Sequence, residues 1–243
     1  MNLKKYIPAF LVLIAVSCKE PMYDTPEPAT EASTAMANIE VVNAVPDATS
    51  TQIYFDNEKV RPNVSFDYLS STPYLKLPSG GTRQIRLKDE TTVLVASNFA
   101  INFDKNYTIF IANTAAKAKA ILATDDLSNP AAGKVKIRFI HLASDVTDKI
   151  ELYNTTAKKV LLETNKTASN LATGSGSVPA FESVNAGTYN LSIRANGNAK
   201  PTWSPVLFTY TFQAGKIYTV FLRGNASAKV DVQKLGYSII QHN

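Results

Sequence analysis

Two seven-residue segments that are near copies of each other constrain the fold of this chain most. The first runs from Lys105 to Ile111 (KNYTIFI), and the second runs from Lys216 to Leu222 (KIYTVFL), 111 positions later. Each mixes aromatic and β-branched residues with few polar ones, which is typical of strands whose two faces are both covered. The pair therefore predicts a duplicated β-unit.

Other segments repeat in the same order along the chain. The matches are Ile39–Asn43 with Ile137–His141, Ile53 and Phe55 with Ile150 and Leu152, and the turn at Gly80–Gly81 with the turn at Gly187. The second copy is longer, and we expect its insertions in loops at 155–178 and 195–205, because a strand cannot absorb an insertion without a register slip. Glu40 and Arg138 occupy the same place in the repeat, and such singly placed charges are expected to face solvent.

Short alternating segments, turn residues about every ten positions and no sustained helical period predict an all-β fold. We expect two tandem antiparallel β-sandwich domains of immunoglobulin-like type, at residues 37–128 and 133–243. A single larger sheet or barrel shared by both copies is the alternative. The alanine- and lysine-rich segment 114–123 is predicted to be a hairpin excursion followed by a final strand.

The N-terminus predicts export and a lipid anchor. Lys4 and Lys5 precede an apolar segment, Ile7–Val16, which is too short to span a bilayer as a helix, so residues 1–17 are interpreted as a signal peptide. The following Cys18 is the single cysteine of the chain, and the order IAVSC resembles the lipobox of bacterial lipoproteins. Either Cys18 is acylated and anchors the protein, or it is a buried free thiol that happens to follow the signal peptide.

Residues 18–36 are predicted to be a disordered tether, since they combine prolines with acidic and small polar residues. Lys19 directly after the cysteine resembles lipoproteins of the outer membrane. The acidic residues beyond it resemble the surface-export signals of Bacteroidetes-type lipoproteins. The expected location is therefore the outer membrane, on its periplasmic face or at the cell surface.

Charge excludes one class of function. The chain has 25 Lys and Arg against 20 Asp and Glu, and the cations are scattered rather than gathered in a run or stripe. Nucleic-acid binding requires such clusters, so no nucleic-acid partner is expected.

The first copy also carries a family resemblance. The segments IEVVNAVPDA from Ile39, IYFDN from Ile53 and YLKLPSG from Tyr74 resemble the family called domain of unknown function 4397. In that family a strand runs into a His-x-x-Pro-Asp-like turn. Here Asn43 replaces the histidine of the first copy, and Ser144 replaces the proline of the second. The resemblance extends over both copies and implies β-sandwiches on an exported, often membrane-anchored protein, without an established activity.

The chain has one group of potential metal ligands, formed by His141, Asp145 and Asp148. A carboxylate can bind a metal or accept a proton from water, so an envelope hydrolase or metal-dependent enzyme is one alternative. The other is a histidine that closes a strand, with aspartates that accept hydrogen bonds from turn amides. One histidine is few for a zinc site, so we expect no metal or other cofactor.

Three aromatic residues are candidate ligand contacts. Trp203 lies between Pro201 and Pro205, where its indole either stacks on a sugar or a partner protein, or plugs the end of its own sandwich. Tyr68 and Tyr74, near Pro73, are similar candidates. The sequence contains no nucleophile elbow, phosphate-binding glycine loop or paired catalytic carboxylates. The preferred hypothesis is thus a non-enzymatic lipoprotein that binds a glycan or an envelope protein.

Overall fold

The polypeptide forms sixteen β-strands, eight in each half of the sequence, in a computed structural model that describes residues 35–164, 166–167, 178–197 and 201–243. In the first half the strands are β1 (Met36–Asn43), β2 (Gln52–Phe55), β3 (Glu58–Lys59), β4 (Leu75–Pro78), β5 (Thr82–Lys88), β6 (Val93–Ala100), β7 (Asn106–Ala112) and β8 (Lys119–Thr124). In the second half they are β9 (Lys134–His141), β10 (Ile150–Asn154), β11 (Lys159–Thr164), β12 (Glu182–Asn185), β13 (Gly187–Ala195), β14 (Val206–Phe212), β15 (Ile217–Arg223) and β16 (Gly236–Gln241). One 3₁₀ turn, Ala115–Lys117, precedes β8 as the predicted excursion, and another, Asp231–Gln233, precedes β16.

Each half contains two four-stranded sheets with the same strand order. The inner sheets are β4-β1-β7-β8 and β12-β9-β15-β16, and the outer sheets are β3-β2-β5-β6 and β11-β10-β13-β14. This arrangement confirms the all-β sandwich class. The prediction of purely antiparallel sheets is wrong for one pair in each half, because β1 and β7 are parallel, as are β9 and β15. Parallel neighbours require a long crossover, which the intervening strands supply.

One predicted match between the halves is out of register by two residues. Leu87 and Ile193 are equivalent, because each lies five residues after the threonine that follows the matched glycine turn, Thr82 or Thr188. Ile53 pairs with Leu87, whereas Leu152, not Ile150, pairs with Ile193. Ile53 therefore corresponds to Leu152, and Tyr54 to Tyr153. A two-residue slip preserves the alternation of faces, so the sequence pattern did not reveal it.

Each sandwich has its own hydrophobic core between its two sheets. In the first half, Ile39 and Ile109 from the inner sheet pack in one cluster with Ile85 and Val95 from the outer sheet. In the second half, Ile137 and Val220 share a cluster with Ile193. Thr34–Asn243 nevertheless form one compact unit.

The two halves are joined by a third hydrophobic cluster, which lies between the inner sheets. Val42 and Phe110 from the first half pack there with Ile140 and Phe221 from the second. The rings of Phe110 and Phe221 meet edge to face, with their centroids 6.0 Å apart. Both faces of β7 and β15 are therefore buried, as predicted from the two near-identical segments.

Candidate functional site

His141 is fully buried at the end of β9. Burial lowers the pKa of its imidazole to about 4, and the Asp148 carboxylate and the backbone of Val146 oppose this shift only in part. Neither ring nitrogen makes a hydrogen bond of normal geometry within the described chain. The imidazole is therefore held in its neutral form.

Asp145 holds a loop in place. Its two carboxylate oxygens accept hydrogen bonds from the backbone amides of Ala226 and Ser227, at 2.6 and 2.9 Å. Asp47 occupies the same place in the first half and accepts a hydrogen bond from the amide of Ala115 at 2.7 Å. The equivalent aspartates Asp47 and Asp145 thus tie the segment after the first strand of each half to the loop that follows β7 or β15.

Asp148 and Trp203 form a pair. The indole Nε1 donates a hydrogen bond to Asp148 Oδ2 at 2.8 Å, and Trp203 is only 8% exposed within the second core. The indole therefore presents little surface to a sugar. An open cleft of about 450 Å³ lies beside this pair, lined also by Thr147, Thr202 and Ser227.

The structure does not bring the three predicted metal ligands together. His141 is buried and its ring nitrogens make no hydrogen bond of normal geometry to a described residue, Asp145 binds loop amides and Asp148 binds the indole. Across residues 35–243, apart from the positions that the structure does not describe, no group of three His, Cys, Asp or Glu side chains is close enough to hold a metal ion. Asp145 matches the interpretation in which aspartates accept hydrogen bonds from turn amides, whereas Asp148 accepts its hydrogen bond from the Trp203 indole.

Tyr68 and Tyr74 both reach from the first half to the second. The Tyr68 hydroxyl accepts a hydrogen bond from Arg223 Nη1 at 3.2 Å. Burial raises the pKa of Tyr68, and Arg223 opposes that change. Tyr74 lies at the other end of the inner sheets, with its hydroxyl 2.9 Å from His242 Nδ1.

A buried charged network lies around Tyr74 where the inner sheets face each other. Arg138 Nη1 is 2.8 Å from Asp125 Oδ1, and His242 Nδ1 is 3.1 Å from Glu40 Oε2. The Tyr74 hydroxyl donates a hydrogen bond to Asp125 at 2.7 Å. Burial and the nearby Asp125 carboxylate raise the pKa of this phenol well above its ordinary value. All four of these side chains are buried, so the expectation that Glu40 and Arg138 face solvent is wrong.

Arg138 makes further contacts within this network. Its Nε donates a hydrogen bond to Thr219 at 3.1 Å, and its guanidinium lies 4.3 Å from the centroid of the Phe181 ring. These contacts offset the desolvation of a charge that is 1% exposed. The network thus joins the two halves and presents no open surface.

The outer sheet of the first half carries an open cleft that the sequence did not single out. The cleft measures about 390 Å³ and is lined by Ser50, Gln52, Tyr54, Lys59, Ser65, Lys88, Asp89 and Glu90. Three cations surround the Tyr54 ring: Lys59, Arg86 and Lys88 lie 5.9, 5.6 and 5.3 Å from its centroid. We call this site the Tyr54 cleft. The residues of this site on β2 and β5 alternate with the buried Ile53, Ile85 and Leu87, which is a sequence signal for an outward-facing position, but only strand pairing places them together.

Cys18, the predicted signal peptide and most of the predicted tether lie outside the described residues. Within the part that the structure does describe, no helix is long and apolar enough to cross a membrane.

Comparisons with known proteins support part of the family resemblance. Residues 37–148, which contain β1 to β9, match the model of the family described as Domain of unknown function (DUF4397). Residues 128–202, which contain β9 to β13, match the model described as Secretion system C-terminal sorting domain. The second match indicates a secreted or cell-surface protein.

No curated protein matches the chain. Among solved structures, one similar chain is a Bacteroides eggerthii protein proposed to act in cell adhesion. It is 10% identical, the match covers 86% of this chain and 95% of that one, and the TM-score is 0.17. A score this low carries no argument about fold or function.

Proposed function

We propose that this protein is a non-enzymatic lipoprotein of the outer membrane or cell surface that binds a glycan or an envelope protein. In this proposal Cys18 carries the lipid, residues 18–36 are the tether, and the two sandwiches are tandem copies of the DUF4397 unit. The sorting-domain match supports export of the chain.

Repeated contacts support the tandem copies. The Tyr107 hydroxyl accepts a hydrogen bond from the backbone amide of Asn102 at 3.2 Å, and the Tyr218 hydroxyl accepts one from Gln213 at 3.3 Å. Tyr107 and Tyr218 are 111 positions apart in the sequence, and so are the two amide donors, Asn102 and Gln213. Together with the shared strand order and the Asp47 and Asp145 contacts, these bonds are expected of one duplicated unit.

The Tyr54 cleft is the observation that carries the binding role. The inner sheets cover each other, so the outer sheets and the strand-end loops are the surfaces open to a partner. On the first outer sheet an aromatic ring surrounded by three cations lies in an open cleft. Aromatic rings and cations in a concave site are typical of ligand recognition rather than of a solvated strand face.

The anchor is tested by replacing Cys18 with Ser in the full chain and fractionating cells. We expect the wild type in the outer-membrane fraction and Cys18→Ser in the soluble fraction, because the variant lacks the thiol that is acylated. Protease treatment of intact cells then distinguishes a surface location from a periplasmic one. Unchanged membrane retention of Cys18→Ser would contradict the anchor.

The binding role is tested separately on glycan and envelope-protein arrays with the full chain. We expect saturable binding to at least one class of ligand. A chain that binds neither class would refute the proposed role, whatever its location.

A further inference from the structure

The two outer sheets carry equivalent tyrosines with different surroundings. Tyr54 and Tyr153 occupy the same position, and each ring is close to at least one cation. Over Tyr153 the guanidinium of Arg194 lies 3.4 Å from the ring centroid. That guanidinium is neutralised, because Arg194 Nε lies 2.6 Å from Glu151 Oε1.

The first half has a neutral residue at the position equivalent to Glu151. Gln52 pairs with Lys88 across β2 and β5, just as Glu151 pairs with Arg194 across β10 and β13. Gln52 thus stands where the second half has a glutamate. Within the described chain, neither Lys88 nor Lys59 forms an ion pair with a carboxylate.

Two buried polar atoms near the cleft make no hydrogen bond within the part of the chain that the structure describes. Gln52 Oε1 and Arg86 Nε are buried and make no hydrogen bond to any described residue. Buried polar atoms usually have a partner, so Gln52 Oε1, which belongs to a residue that lines the cleft, is a candidate contact for a ligand or a bound water.

Asp89 and Glu90 also line the cleft, and neither forms an ion pair with Lys59 or Lys88 among the described residues. Asp89 accepts hydrogen bonds from the amides of Thr91 and Thr92, at 2.9 and 2.6 Å. These bonds lower the pKa of the Asp89 carboxyl and keep it within its own turn. Glu90 is exposed and pairs with no cation among the described residues.

We propose that the Tyr54 cleft binds an acidic saccharide, with the ring of Tyr54 against a sugar face and Lys59 and Lys88 paired with its carboxylate or sulfate. This inference rests on the proposed binding function and names its ligand class. An aromatic ring offers an apolar surface to the C–H groups of a sugar, and unpaired ammonium groups select an anion. A volume of about 390 Å³ lies within the range of small-ligand sites.

The experiment measures binding of the full chain to heparin, which is sulfated, and to polygalacturonate, which is carboxylated. Dextran is the neutral control, and polyglutamate is the acidic peptide control. We expect saturable binding of the acidic polysaccharides that weakens as salt rises, since the charged contacts are near the surface. We expect no binding of dextran or polyglutamate.

Three variants and one matched control locate the site. Lys59→Gln combined with Lys88→Gln should weaken binding about tenfold, through the loss of two charged contacts. Gln52→Glu should have a similar effect, because it gives Lys88 the carboxylate that Arg194 has in the second half. Tyr54→Leu should also weaken binding, whereas the matched variant Tyr153→Leu should leave it unchanged.

Several results would overturn the inference. One is an equal loss of affinity for the acidic polysaccharides in Tyr54→Leu and Tyr153→Leu. Another is undiminished affinity in Gln52→Glu. A third is binding of polyglutamate or dextran as strong as that of the acidic polysaccharides. Because these measurements do not depend on Cys18, failure of the cleft is distinguishable from failure of the anchor. A chain that binds other glycans or envelope proteins on the arrays, but not these acidic polymers, would retain the proposed function and lose this inference.

Discussion

The two halves of the chain share a strand order and differ in charge where they meet. Glu40 and Arg138 occupy equivalent positions on β1 and β9, and Asp125 and His242 follow β8 and β16 at equivalent positions. Across the contact Glu40 pairs with His242, and Arg138 pairs with Asp125. Each pair therefore joins a residue on the first strand of one half to the residue that follows the last strand of the other half.

That pairing is the pattern of a two-fold interface, in which residue i meets residue j of the partner and j meets i. If both halves kept the residues of the first, Glu40 would face an aspartate, and two buried like charges would repel each other. The difference in charge thus allows two units of the same shape to pack face to face. The contact therefore favours packing of the first half against the second half over packing of two identical halves.

Removal of Arg138 should have the largest effect on this contact. Arg138→Leu leaves Asp125 buried without its cation, and breaking a buried ion pair in this way costs about 3–5 kcal/mol of unfolding free energy. Urea unfolding of the full chain measures the loss.

The matched control for Arg138 lies on the same strand. Lys136 pairs with Asp126, which is exposed, so Lys136→Leu should change stability by no more than about 1 kcal/mol. Replacing Asp125 with Leu in the Arg138→Leu background should restore much of the loss, because no uncompensated charge then remains. Equal effects of Arg138→Leu and Lys136→Leu would show that the halves are not held by this pair.

The next largest effect is a loss of stability at acid pH that arises from His141 of the second half, where the first half has Asn43. Burial lowers the pKa of His141 to about 4 in the folded chain, against an ordinary value of 6.5. The unfolded chain therefore binds the proton first as pH falls, and unfolding free energy should drop by about 3 kcal/mol as pH falls from near the ordinary value to below the folded one. Above the ordinary value, His141 contributes no pH dependence.

His141→Asn, which installs the residue found at position 43, should remove that acid-dependent loss. In the first half Asn43 is satisfied, since it donates to the Phe66 carbonyl and accepts from the Val45 amide. Denaturant unfolding at neutral pH and near pH 4 measures the difference between variant and wild type. Acid sensitivity that persists undiminished in His141→Asn would contradict the role assigned to this imidazole.

The smallest expected effect concerns the motif aspartates. Asp145→Ala removes two bonds to loop amides and Asp47→Ala removes one, so we expect losses of about 2 and about 1 kcal/mol, respectively. Urea unfolding gives the totals, and hydrogen exchange at Ala226 and Ala115 should accelerate in the matching variant. Thr147→Ala, at an exposed neighbour, is the control; a loss there as large as in Asp145→Ala would break the comparison.

Sequence pattern alone predicted much of the fold. Aromatic and β-branched repeats at Lys105–Ile111 and Lys216–Leu222 indicated strands buried on both faces, and the growing spacing of the repeat placed the insertions in two loops. Strand pairing agrees with the buried strands, whereas β11 (Lys159–Thr164) lies within the predicted loop 155–178 and pairs with β10. An alternating pattern looks the same after a shift of two residues, so it cannot distinguish the correct match between the halves from one that is shifted by two. The correspondence of Tyr54 with Tyr153 therefore required the observed strand register.

The candidate sites were predicted less well, because they depend on contacts between distant residues. His141, Asp145 and Asp148 are close in sequence, yet each has a different environment. Opposite charges at Glu40 and Arg138 were visible in the aligned repeat. Their burial was not, since a charged residue in an alternating strand normally faces water.

The sequence by itself determined that this chain forms two β-units with apolar strands at their centres, because the side-chain period and composition of those strands are local properties. Only the tertiary structure decided that the second face of β7 is covered by β15 and its neighbours, and which charges are buried there. The physical reason is that burial of a sheet face and pairing of its charges depend on the surface packed against it, which no local pattern specifies.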